Sequence, residues 1–122
     1  MENLNSVIVT GNLTRDPEVR ETKNGNHVCR FSIAHGWFNK ASNTKTTSYF
    51  DCKAWNEEAK KFYQNASKGT RVKVIGRLEQ ENWTDKLTGK ERSKVVILAN
   101  EIELSEPRMA RGNLETEECP FL

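Results

Sequence analysis

Apolar and polar residues alternate through residues 27–37 (HVCRFSIAHGW), with Cys29, Phe31 and Ile33 on one side and Val28, Arg30 and Ser32 on the other. A period of two marks a strand with one face buried. The alternation returns in 70–83 (TRVKVIGRLEQENW), where Val72, Val74, Gly76 and Leu78 share a face. Residues 5–13 (NSVIVTGNL), 47–55 (TSYFDCKAW) and 92–104 (RSKVVILANEIEL) are rich in β-branched or aromatic side chains and predict three further strands. One segment changes period: Ala59, Phe62, Tyr63 and Ala66 recur at helical spacing. Asn56 reads as the cap of that helix, Glu57 and Glu58 suit the positive end of its dipole, and Gly69 reads as its stop.

The connections carry their own signals. Asp16-Pro17 is a turn, 18–22 a short extended piece, and Asn24-Gly25 a hairpin turn. The polar run 38–46 (FNKASNTKT) predicts a long, mobile hairpin loop, and 85–90 a polar turn. Beyond Glu106 the pattern ends, and Pro107, Gly112 and Pro120 lie among charges, which predicts a short disordered tail. Three strands, one helix and two strands describe a mainly β protein, a five-stranded OB-fold barrel with its helix between strands three and four. Gly11 and Gly76 fall where strongly bent strands would kink. An α+β sandwich is the rival topology. The expected division is a barrel domain over 1–105 and a flexible linker with an acidic tip over 106–122.

Charge adds an asymmetry. The net charge is +2, yet all 19 Lys and Arg residues lie in 1–111, against 14 acids, while 112–122 carry three acids and no base. A basic body suggests a polyanionic partner. No stretch is apolar enough to span a membrane, and Met1-Glu2-Asn3 lacks the features of a signal peptide, so the expected location is cytoplasmic. Cys29, Cys52 and Cys119 form no CxxC pair, and Cys29 and Cys52 fit a core. His27 and His35 have no carboxylate at a metal or triad spacing, and no HEXXH, GxSxG or P-loop pattern occurs. No catalytic residue, metal site or cofactor is expected.

The aromatic residues point to binding. Trp37, Tyr49, Trp55 and Trp83 each have a Lys or Arg within a few residues. Stacking platforms interleaved with cations suit unpaired nucleic-acid bases, because every base has a π-face. A single aromatic is more often core, but four beside polar residues favour binding for at least two. Tyr49 and Phe50 are adjacent on a strand, so only one can face a ligand, and Phe50 suits the interior or an interface. The tip, Glu115-Thr116-Glu117-Glu118-Cys119-Pro120-Phe121-Leu122, joins acids to an apolar end and suits a short docking peptide.

Four longer stretches, VIVTGNLTRDPEVR with the Asn24-Gly25 turn, FDCKAWNEEAKKF, KGTRVKVIGRLE and ENWTDKLTGKERSKVVILANEIELSE, resemble the bacterial-type single-stranded DNA-binding proteins over about residues 4–104. That resemblance implies an OB barrel, usually a homotetramer, nucleoid-associated, wrapping single strands without strong sequence preference in replication, recombination and repair. It implies base stacking at Trp37, Tyr49, Trp55 and Trp83 and backbone contacts near Arg15, Lys73 and Arg77. It also implies docking of replication and repair proteins on the tip, at Glu117, Glu118, Pro120, Phe121 and Leu122. In the family the tip ends in Pro-Phe; here Leu122 follows Phe121. A replication-restart accessory OB protein and an RNA-binding OB module are the alternatives.

Overall fold

Residues 2–105 are described by a computed structural model. The elements are β1 (Val7–Leu13), β2 (Glu18–Glu21), β3 (His27–Asn39), β4 (Thr44–Trp55), α1 (Asn56–Asn65), β5 (Arg71–Thr84) and β6 (Glu91–Leu104). Neighbouring strands run β1-β5-β6-β4-β3-β2. A further pairing, Asn12 with Ala34 and Leu13 with Ile33, joins β1 to β3 and closes β1, β5, β6, β4 and β3 into a five-stranded barrel. In chain order the helix follows the third barrel strand, as the sequence predicts. The short piece expected at 18–22 is β2, which pairs with the start of β3 outside the ring.

Closure depends on a glycine. Gly11 pairs with Val72 of β5, and its neighbour Asn12 pairs with both Arg71 and Ala34, so the backbones of three strands converge there. A Cβ at Gly11 would stand 2.7 Å from the Ala34 carbonyl oxygen. Only a residue without one admits that approach. Gly76 sits at the one register shift between β5 and β6, against the Leu98 backbone.

Alternate side chains of these strands fill the interior: Leu13, Phe31, Ile33, Val72, Val74 and Ile97 among them. The helix closes one end of the barrel. Ala59 and Phe62 are its buried residues, and the Phe62 ring lies 4.4 Å from that of Phe31. Cys29 and Cys52 are free thiols in this core. Burial pushes Cys29 up to about 11, and burial with the nearby Asp51 charge pushes Cys52 up to about 12, so both stay protonated at neutral pH.

Two local expectations are corrected. Asn56 does not cap the helix with its side chain: Trp55 holds the cap position without a side-chain hydrogen bond. Asn56 takes φ 50°, and its Oδ1 accepts the His27 backbone N–H at 2.9 Å. The amide thus ties β3 to the start of the helix, and Asn tolerates the left-handed backbone. The run 38–46 is not a long loop either. Strands β3 and β4 continue through Phe38–Asn39 and Thr44–Thr46, leaving residues 40–43 as the turn. The Asn39 Oδ1 accepts backbone N–H groups of Ala41 and Ser42, and Asn43 takes φ 58°. Polar side chains that bond the turn backbone extend the hairpin where polarity alone suggests a loop. The tip residues Glu117, Glu118, Pro120, Phe121 and Leu122 lie outside the described residues.

Candidate nucleic-acid interface

A row of side chains crosses the outer surface of the barrel. Register places Glu18 of β2 opposite Arg30 of β3, Arg30 opposite Lys53 of β4, Lys53 beside Leu98 of β6, and Leu98 opposite Arg77 of β5. The adjacent row is Arg20, Val28 and Trp55. Paired residues share a face, so Trp55 stands over the barrel wall beside cations from three strands.

Lys53 is the centre of this surface and is only 6% exposed. Its Nζ donates to the Glu81 Oε2 at 2.8 Å and lies 3.0 Å from the Glu79 Oε1. The second contact is an ion pair without good hydrogen-bond direction, and that buried oxygen has no other partner among the described residues. Arg30 reaches the same Glu81 carboxylate, Nη2 to Oε2 at 2.8 Å. The Lys53 ammonium also lies 5.7 Å from the Trp55 ring centroid. Burial alone would raise the Glu81 carboxyl; hydrogen bonds and charges from Arg30 and Lys53 outweigh it and hold the group at about 2. Burial works against the Lys53 charge, and the two carboxylates more than offset it, so its pKa is raised. Beside this cluster, Lys94 of β6 pairs with Asp51 of β4 at 3.4 Å.

The remaining candidate residues are distributed unevenly. Tyr49 lies on the outer face of β4 with Lys53 and Trp55 and is 68% exposed, while Phe50 turns inward and packs on the core. Trp83 is exposed near the end of the β5–β6 hairpin, opposite Arg92, whose guanidinium meets Asp85 at 3.4 Å. Arg15 lines a cleft of about 260 Å³ with Glu18, Arg20, Val28 and Arg30, next to the Trp55 row. Arg77 lies on the Lys53 row. Lys73 stands apart: it pairs with Glu103 at 3.3 Å and borders a separate shallow cleft with Thr10 and Arg71. Trp37 is exposed but on the opposite face of the β3–β4 hairpin, its indole N–H donating to Ser48 Oγ at 2.9 Å.

Arg20 and Arg30 join this surface only once the register is known, because β2 and β3 carry them beside Trp55. Arg30 is signalled in the sequence by its apolar neighbours Cys29 and Phe31, whereas Arg20, between Val19 and Glu21, carries no such signal. Among the described residues, no group of three or more His, Cys, Asp or Glu side chains is arranged to hold a metal ion. The surface can offer π-faces, guanidinium and ammonium groups, and a fixed pair of carboxylates.

Residues 4–105 match the model of the single-strand binding protein family. The chain is 37% identical to the single-stranded DNA-binding protein of Borreliella burgdorferi over 106 residues, covering 85% of this chain and 71% of that protein. It is 35% identical to the single-stranded DNA-binding protein of Treponema pallidum, over 85% of this chain and 59% of that protein. The protein of the same description from Aquifex aeolicus is 36% identical over 94% of this chain and 80% of its own length. Sequence and barrel agree, and the chain belongs to the single-strand binding protein family.

Proposed function

We propose that this protein binds single-stranded DNA without strong sequence preference, protecting and presenting it during replication, recombination and repair. The observation that carries the proposal is the exposed outer face bearing Trp55 and Tyr49 beside Arg15, Arg20, Arg30 and Arg77. Bases stack on the aromatic rings. The guanidinium groups of Arg15, Arg20 and Arg77, unlike that of Arg30, are not held by a carboxylate among the described residues, so they neutralise phosphates and release counterions. Trp83 extends the path along the β5–β6 hairpin, and Trp37 offers a platform on the reverse of the β3–β4 hairpin. Lys73, paired with Glu103, contributes charge at the margin. No step of this mechanism makes or breaks a covalent bond, and a cytoplasmic, nucleoid-associated location suits it.

The functional unit is a homo-oligomer, by family resemblance a tetramer. Supporting this, Ile8, Leu78 and Val95 are exposed and line one apolar cleft of about 520 Å³ together with Val7 and Tyr49. Apolar area of this kind favours contact with another copy. The acidic tip, Glu117, Glu118, Pro120, Phe121 and Leu122, docks replication and repair proteins; this part rests on the sequence alone.

Anisotropy of a labelled oligo-dT, with unlabelled single-stranded DNA, matched RNA and duplex DNA as competitors, tests the proposal. Competition by single-stranded DNA far stronger than by duplex is expected. Equal competition by duplex would contradict it, and stronger competition by RNA would favour the RNA-binding alternative.

A further inference from the structure

Phe38, and not Trp37, shares a face with Tyr49. The β3–β4 register runs unbroken from Val28 opposite Trp55 to Asn39 opposite Thr44. Paired residues point to the same side and successive residues to opposite sides. Trp55, Lys53, Asp51, Tyr49, Thr47 and Lys45 therefore form one outer row of β4. Phe38 lies opposite Lys45 at the far end of the matching row of β3.

The ring is 54% exposed and borders a cleft of about 410 Å³ with Gly36, Trp37 and Lys45. Between Tyr49 and Phe38 the face carries only Ala34, Gly36 and Thr47, and a Cβ built at Gly36 would meet nothing within 4 Å. No bulky side chain stands between the two rings. The one acid on this row, Asp51, is neutralised by Lys94. Lys45 is exposed, and no other described residue pairs with it in an ion pair. An exposed π-face with a cation directly across the ladder is the arrangement that takes a base and its phosphate together.

We propose that Phe38 is a further base-stacking platform, the distal step of a lane running from Trp55 through Tyr49 along the outer face of the hairpin. The proposal rests on the single-stranded DNA reading above. Phe38 lies four residues beyond the Tyr49 pair, about 13 Å at the rise of a strand, and Trp55 about 20 Å to the other side of Tyr49. A strand held only at Trp55 does not reach Phe38; a longer one does.

The test measures long and short oligo-dT binding by Phe38→Ala, Phe38→Leu, Phe38→Trp and, as a control, Tyr49→Ala, with oligomeric mass by light scattering. Phe38→Leu keeps an apolar side chain but has no ring. The expected result is that Phe38→Ala and Phe38→Leu each raise Kd for long oligo-dT by about five-fold or more, at unchanged mass, with little effect on the shortest oligomers that bind. Phe38→Trp should retain affinity and add tryptophan fluorescence that long oligo-dT quenches. If Tyr49→Ala weakens binding and Phe38→Leu does not, the platform is refuted and the parent reading stands. If Phe38→Leu changes the oligomeric mass, the residue is an intersubunit contact and the proposal fails. If the unaltered protein does not bind oligo-dT, both readings fail together.

Discussion

The Lys53 ammonium lies 5.7 Å from the Trp55 ring centroid, and the Glu81 carboxylate holds it from another direction at 2.8 Å. A buried cation is tolerable only when carboxylates compensate its lost hydration. Here β5 supplies two, and Glu81 is shared with Arg30. The pair Arg30 and Lys53 is therefore already neutralised before any phosphate arrives. If single strands bind here as proposed, phosphate contact falls instead to Arg15, Arg20 and Arg77.

Removing the cation should expose the cost of this arrangement. Lys53→Ala leaves Glu79 and Glu81 facing each other with one partner lost, and should destabilise the fold by about 3 kcal/mol. Urea unfolding monitored by circular dichroism measures it. A change below about 0.5 kcal/mol would mean that solvent already screens the cluster.

Acid should act through Glu81. Its pKa in the folded protein, about 2, is below its ordinary value of 4.5. A group whose pKa is depressed by folding stabilises the fold above its unfolded value and loses that contribution as pH falls through the folded one. Stability should therefore decline between about pH 4.5 and pH 2, by about 2 kcal/mol from this group once solvent screening is taken off the ~3 kcal/mol that the full change would give. Glu81→Gln should flatten that part of the profile, measured as urea midpoint against pH.

Phe62 ties the helix to the barrel. Its ring is 2% exposed and stacks at a tilt on Phe31. Phe62→Ala should cost about 3–5 kcal/mol, and would be read from the unfolding midpoint.

On the proposed binding face, the salt dependence separates phosphate contacts from stacking. Arg20→Ala should reduce the slope of log affinity against log salt by about 0.7, the share of one phosphate on a single strand. Trp55→Ala should lower affinity by about 1–3 kcal/mol and leave that slope nearly unchanged. Titrations at several salt concentrations distinguish the two.

Much of the barrel is legible in the chain because burial acts on alternate residues. Cys29, Phe31 and Ile33 announce β3, and Val72 and Val74 announce β5, by period alone. Ala59 and Phe62 announce the helix in the same way. The extent of the β3–β4 hairpin is not legible, because the Asn39 side chain that bonds the turn backbone looks like any polar loop residue in sequence. Ending β3 at Trp37 hides the parity of Phe38, which the register places on the face of Tyr49. The partners of Lys53 are hidden for a different reason. Glu79 and Glu81 come from a strand that is not its ladder neighbour, and alternation reveals which face a charge occupies but not which strand arches over it. Arg20 joins Trp55 only through two successive strand registers.

The most direct test of the central claim is the intrinsic tryptophan fluorescence of the folded protein, titrated with long oligo-dT and with duplex DNA at low and high salt. If bases stack on this surface, single strands quench the emission strongly, duplex does not, and log affinity falls linearly with log salt. Unchanged emission at every oligo-dT concentration, from a protein that circular dichroism shows to be folded, would contradict it.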